Sequence, residues 1–114
     1  MADCPFCAIA AGEVPADVVT TTERTVAFRD LNPQAPTHVL VVPSRHVTSV
    51  AAVGPEHAEL VTEMLTTAQD VAAAEGVAET GYRLVLNVGD DAGNTVPHLH
   101  LHVLGGRRLA WPPG

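Results

Sequence analysis

Lysine is absent from the 114 residues: all six basic side chains are arginine, set against 13 acidic ones for a net charge of −7. A chain so poor in positive charge lacks the basic face that general nucleic-acid binding requires. It must hold any anionic ligand with local dipoles rather than with its overall field. Long apolar runs are missing too. None approaches the roughly 20 residues that cross a bilayer, so no membrane partner is expected. The opening residues, Met1-Ala2-Asp3-Cys4-Pro5, carry no basic region of the kind that starts a secretory signal. The expected compartment is therefore the cytoplasm. Isoleucine occurs once, at Ile9, which with the missing lysine is the bias of a GC-rich gene. Cysteine occurs twice, as Cys4 and Cys7 in a C-x-x-C spacing. In a reducing compartment that pair points to metal binding or thiol redox chemistry ahead of a structural disulfide.

What is present fits one domain, residues 1–114, with no repeats and no low-complexity tract. Cys4 to Gly12 reads as a short helix ended by glycine. Val18–Thr21 and Thr25–Arg29 read as short strands around a polar turn, and Asp30–Pro36 as a loop punctuated by two prolines. His38–Pro43 is nearly continuous in β-branched residues, which predicts a strand buried on both faces. Pro55 suits the first position of a long helix that Gly76 closes. Val61, Leu65, Ala68 and Ala72 mark its inward side, widened by Leu60, Met64 and Val71. Gly81–Val88 and His98–Leu104 read as two further strands joined by the loop Gly89–Thr95. Gly105–Gly114 is an irregular tail. The expected class is α+β, with five strands in a mainly antiparallel sheet and one long and one short helix.

Three of the six histidines, His98, His100 and His102, lie at i, i+2 and i+4. On a strand they share one face, with Leu99, Leu101 and Val103 on the other. Neighbours would sit roughly 7 Å apart and the outer pair roughly 13 Å apart from the rise per residue. Metal–imidazole bonds are only about 2 Å long, so one ion takes two of them at most. The three must do at least two jobs, unless they form only a solvated polar face. The preceding Gly, Asp, Asn and Thr loop offers backbone N–H groups and small donors suited to a phosphate. Beside a phosphate, a neutral imidazole serves as nucleophile or general acid.

His98-Leu99-His100-Leu101-His102-Val103-Leu104 matches the signature of the histidine triad superfamily. Asp30 through His38, Val42-Pro43-Ser44-Arg45-His46, Gly81-Tyr82-Arg83 with Asn87, and the ending Trp111-Pro112-Pro113-Gly114 extend the likeness over nearly the whole chain. The sequence most resembles the Hint branch, the purine nucleoside phosphoramidases. That resemblance implies a homodimer whose sheets join, a nucleoside 5′-phosphate pocket and a covalent nucleotidyl-histidine intermediate. By motif position it makes His100 the nucleophile. Asn87, Gly93, Thr95 and His102 would hold the phosphate, His38 would support proton transfer, and Asp30 would take the ribose hydroxyls. Phe6, Ile9, Phe28 and Leu31 stand where relatives line the base pocket. Two departures are visible: Thr95 replaces a frequent serine, and Ala110 stands where many relatives have histidine before the tail tryptophan. The second bears on leaving-group preference.

Cys4 and Cys7 supply half of a tetrahedral zinc site. His46 and His98 could complete it, and the resemblance supports that set, because many bacterial triad proteins bind zinc with these motif positions. A redox pair or two buried small residues are the competing readings of the cysteines. His57 reads as a surface residue without a role. Trp111 either packs on its own domain or, as the resemblance implies, reaches toward the partner's active site. The expected activity is hydrolysis of purine nucleoside 5′-phosphoramidates and aminoacyl adenylates. The alternatives are a dinucleoside polyphosphate hydrolase, a nucleotidyl transferase, or a non-enzymatic nucleotide-binding dimer.

Overall fold

A computed structural model describes residues 4–114; the opening residues used to judge a secretory signal lie in part outside them. Helix α1 spans Pro5–Ala10. Proline at its first turn carries no N–H to orphan, and the Cys4 sulfur accepts from Cys7 N–H to cap it. Strands β1 (Val18–Thr21), β2 (Thr25–Arg29) and β3 (Thr37–Pro43) follow. After a 3-10 turn at Pro55–His57 comes α2, Ala58–Ala74, then β4 (Tyr82–Val85) and β5 (Leu101–Gly105). The strands form one sheet in the order β1-β2-β3-β5-β4, every neighbouring pair antiparallel. Among the described residues no helix is long and apolar enough to cross a membrane.

The sheet is covered on both faces, as the β-branched run of β3 predicts. Val39 and Val41 pack with Ala27, Leu101 and Val103 against Leu60, Met64, Ala68 and Val71 of α2. Leu40 and Val42 point the other way, into a cluster with Cys4, Phe6, Val26 and Phe28. Each of these fully buried valines stabilises the fold by about 1.5–3 kcal/mol before chain entropy is counted. Gly76 leaves α2 at φ +77°, the left-handed turn expected of a helix-closing glycine.

Three expectations need correction. Leu65 does not face inward but is 41% exposed, and Val61 is only half-buried; the inward stripe runs through Leu60, Met64, Thr67, Ala68 and Val71. At about 100° per residue, Leu65 lies well to one side of the centre of that stripe. His57 has a role: its Nδ1 accepts from Gly54 N–H at 3.0 Å, closing the turn that leads into α2. Strand β5 begins at Leu101, not at His98. Its ladder with β3 ends at Val41↔Leu101. Two residues on, Pro43 has no N–H to give, and Leu99 N–H turns away to the Val47 carbonyl at 2.6 Å. β4 shortens with it, because Leu86 and Val88 then have no strand to face; both are exposed.

Candidate active site

The half of the histidine motif that precedes β5 is held by tertiary contacts. His98 is fully buried, with Nε2–H donating to the Pro43 carbonyl at 2.9 Å. Phe6 of α1 packs edge-on against both neighbours, its ring centroid 5.9 Å from His98 and 5.0 Å from His100. His100 and His102 lie with ring centroids 5.0 Å apart. Leu99, Leu101 and Val103 all reach the α2 side of the sheet, so the expected division into a histidine side and a leucine side survives although the strand itself does not extend that far.

A cavity of about 350 Å³ opens on the histidine side, ample for a nucleoside-sized ligand. Phe6, Ile9, Phe28 and Leu40 form its apolar wall, and Asp30, Asn87, Gly93, Thr95, His100 and His102 its polar part. The loop that carries Gly93 turns twice through positive φ, at Gly89 (81°) and Gly93 (79°), conformations that need glycine. Leu31 borders the cavity but is 99% exposed. His38 does not line it and stands behind His102. Trp111 does not line it either and is 82% exposed, so the reading in which it packs on its own domain is wrong. Leu40, Val96 and Ala16 line the cavity without having been singled out. Leu40 was legible in the alternation of β3, which turns it away from Val39 and Val41; the other two lie in irregular segments with no periodicity to read.

The hydrogen bonds assign the ring protons. Gln34 N–H donates to His38 Nδ1 at 3.0 Å, so His38 carries its proton on Nε2. That Nε2–H donates to His102 Nδ1, 2.9 Å away, and also lies 3.5 Å from the Asp30 carboxylate. His102 is left with its proton on Nε2, a buried atom without a partner among the described residues. His100 is set the opposite way: Nδ1–H donates to the His98 carbonyl at 2.6 Å, which leaves the lone pair on Nε2. Two adjacent histidines of one cavity thus offer a bare nitrogen and an N–H donor. Asp30, His38 and His102 also bring ligand-type atoms within 4.8 Å of one another. The proton that Gln34 confines to His38 Nε2 makes this group a proton chain rather than a metal site.

Burial pushes the His102 pKa down from the ordinary 6.5 to about 4, helped by the nearby His100 and His38. Burial lowers His38 as well, against the pull of Asp30. Both rings are therefore neutral near pH 7. A histidine that protonates more readily unfolded than folded draws the chain open as pH falls. The thermal midpoint is expected to decline from about pH 6.5 down through about pH 4, and to decline less in His102→Gln. A pH series of melts on both proteins checks this; parallel curves would place the loss elsewhere.

A second cluster lies beyond Phe6. The Cys4 and Cys7 sulfurs and the Nδ1 atoms of His46 and His98 all fall within 4.8 Å of one another. Cys4 Sγ is 3.2 Å and Cys7 Sγ 3.4 Å from His98 Nδ1, and His46 Nδ1 is 3.3 Å from Cys7 Sγ and 3.2 Å from His98 Nδ1. Tetrahedral bonds of 2.0–2.3 Å imply edges of about 3.3–3.8 Å, so the four atoms fit a single ion after minimal adjustment. The donor chemistry agrees. His98 gives its proton to Pro43 and turns a lone pair into the cluster, and Cys7 N–H supports the Cys4 sulfur at 3.3 Å. Burial and the adjacent Cys4 raise the Cys7 thiol pKa, an effect that a bound cation reverses. These four residues could hold a metal ion.

Residues 11–109 match the HIT domain family. The chain belongs to the HIT family. A purine nucleoside phosphoramidase of Escherichia coli K12 is 43% identical over 104 residues, 91% of this chain and 87% of that protein. A HIT-like protein of Synechococcus elongatus is 49% identical over 102 residues, covering 90% and 89%. Among solved structures, a HIT family hydrolase from Legionella pneumophila superposes with a TM-score of 0.96 at 49% identity, over 98% of this chain and 100% of that one. A histidine triad protein from Clostridium difficile gives 0.93 at 40% identity, over 96% of each. The HIT-fold neighbours and the antiparallel five-stranded sheet agree, and the chain is a HIT-family hydrolase.

Proposed function

We propose that this hydrolase cleaves the P–N bond of purine nucleoside 5′-phosphoramidates, and also accepts aminoacyl adenylates. The observation that carries the reading is the opposed pair of tautomers in one cavity: a lone pair on His100 Nε2 beside an N–H on His102 Nε2. His100 Nε2 attacks the α-phosphorus as the P–N bond breaks, and the nitrogen takes a proton from solvent and leaves as the amine. The phosphorus is then bonded to His100. Water attacks it and returns a proton to solvent, the N–P bond breaks, and nucleoside monophosphate leaves with His100 restored. Two moderate steps replace one difficult one. His102 Nε2–H, Thr95, Asn87 and the Gly93 backbone donate to the non-bridging oxygens as charge builds on them. The orphaned His102 Nε2–H thereby gains the acceptor it lacks. The purine lies on Phe6, Ile9, Phe28 and Leu31, and Asp30 takes the ribose hydroxyls. Binding energy from these remote groups aligns the phosphorus on His100. Zinc held by Cys4, Cys7, His46 and His98 would close a structural site and take no part in the chemistry.

The working unit in this reading is a cytoplasmic homodimer. β4 is an edge strand, and Leu84, Leu86 and Val88 lie exposed on it and just after it. Such an edge is covered when a second copy continues the sheet. The tail leaves beside β4, its Ala110 carbonyl accepting from Arg83 Nη2–H at 2.9 Å, with Trp111 out in solvent. In a dimer it is placed to reach the other subunit's leaving group. The test compares kcat/KM for adenosine 5′-phosphoramidate, an aminoacyl adenylate and diadenosine polyphosphates, on the full chain and on one lacking residues 109–114. The phosphoramidate is expected to lead, and truncation to shift leaving-group ratios while AMP affinity and the dimer persist. A lead for the polyphosphates makes the protein a different triad hydrolase or transferase. No turnover at all leaves a nucleotide-binding dimer. Unchanged ratios remove the role of the tail.

A further inference from the structure

Arg107 lies two residues past the end of β5 and lines no part of the histidine cavity. Its guanidinium nevertheless spans 73 residues of sequence: Nη2–H donates to the Gln34 carbonyl at 2.9 Å, while Nη1–H donates to the Arg108 carbonyl at 3.0 Å. Gln34 is the residue whose N–H donates to His38 Nδ1. The same joint is closed a second way. Gly106 has φ +90°, and a Cβ there would lie 2.9 Å from Pro36 Cβ and 3.4 Å from Thr37 N. The turn after β5 therefore seats its bare backbone on Pro36 and its guanidinium on Gln34. Charge accounting sharpens the point. Arg24 and Arg29 are matched to carboxylates, whereas Arg107 makes no ion pair among the described residues. On a chain with 13 acidic residues, its charge is directed at carbonyl oxygens alone. A planar fork bound to two carbonyls fixes geometry more than it adds charge stabilisation.

We propose that Arg107 is a positioning residue for the proton chain: it holds Gln34 N–H on His38 Nδ1 and so decides which nitrogen of His38, and in turn of His102, carries the proton. Without that N–H, only the Asp30 carboxylate, 3.5 Å from Nε2, still favours the Nε2–H form of His38. In the Nδ1–H form, His38 Nε2 and His102 Nδ1 face each other as two lone pairs, unless His102 moves its own proton to Nδ1 and gives up its Nε2–H. The first outcome breaks the hydrogen bond that orients His102, and the second removes the donor beside His100. The kinetic half of this inference rests on the reading of His102 as a phosphate donor; the tautomer half stands without it.

The experiment records ring nitrogen NMR shifts of 15N-histidine-labelled full-length protein, wild type against Arg107→Ala, Arg107→Lys and Arg108→Ala. Steady-state kinetics with adenosine 5′-phosphoramidate accompany it. Wild type and Arg108→Ala are expected to show Nε2–H forms of His38 and His102. Arg107→Ala is expected to show a mixed His38 tautomer, with kcat down about tenfold and KM within about twofold. Lysine keeps one donor and is expected to recover most of the loss. A wild-type nitrogen pattern in Arg107→Ala overturns the proposal, as does an equal loss in Arg108→Ala. A shifted tautomer with unchanged kcat upholds the positioning of His38 and removes His102 from the proposed catalysis.

Discussion

His100→Ala is expected to fold, bind AMP at near wild-type affinity and lose at least about ten-thousandfold in kcat, since a nucleophile has no substitute within its own site. The expectation follows from one atom. Nδ1 is tied to the His98 carbonyl, so Nε2 is the ring's free nitrogen, in a cavity that places apolar walls and phosphate-type donors around it. Removing the ring costs an edge-on contact with Phe6 but leaves the Phe6–Phe28 pair, at 5.5 Å between centroids, to carry the purine. Binding and turnover should therefore separate. AMP titration, steady-state kinetics and mass spectrometry of quenched wild-type reactions check this, the last for a nucleotidyl group on His100. Wild-type kcat in the variant would remove His100 as nucleophile. AMP affinity lost in step with kcat would mean that the substitution damages the pocket rather than the chemistry.

Loss of the cysteine cluster should act on stability instead. Protein purified without chelator is expected to carry one zinc per chain. Cys4→Ser is expected to lower the thermal midpoint by roughly 10 °C or more while keeping most activity at a permissive temperature. Cys4 caps α1, and α1 supplies Phe6 and Ile9 to the cavity. An ion on Cys4, Cys7, His46 and His98 would bind that helix to the loop after β3 and to the segment leading into β5. It thereby joins three stretches of chain that no strand ladder connects. The cavity wall should loosen before the histidines do. Elemental analysis, thiol titration and melts with and without chelator decide it. Zinc well below one per chain, freely titrating thiols and a melt indifferent to chelator would together show that the two cysteines are simply buried thiols.

The sequence by itself determined most of the elements and the family. β1 and β2 fall at the residues their local pattern marks, and β3 is buried on both faces because Val39-Leu40-Val41-Val42 is apolar on both. The resemblance carried by the triad, the glycine loop and the C-x-x-C pair named most of the cavity lining and the cysteine cluster, whereas residue type alone left the cysteines open between a metal site, a redox pair and buried thiols. Tertiary structure decided where local pattern yields to long-range partners. β5 stops at Leu101 because Pro43, on another strand, lacks a donor, and no window of sequence around His98 contains that fact. Of the broad apolar stripe of α2, Leu60, Met64, Ala68, Val71 and Ala72 are buried and Leu65 is left out, because the sheet decides which part of the stripe it covers. Above all, a histidine in a sequence has two equivalent nitrogens. Which one keeps the proton is chosen by the group the fold sets against the ring: the distant Pro43 carbonyl for His98, the neighbouring Gln34 N–H for His38, and distant His38 in turn for His102.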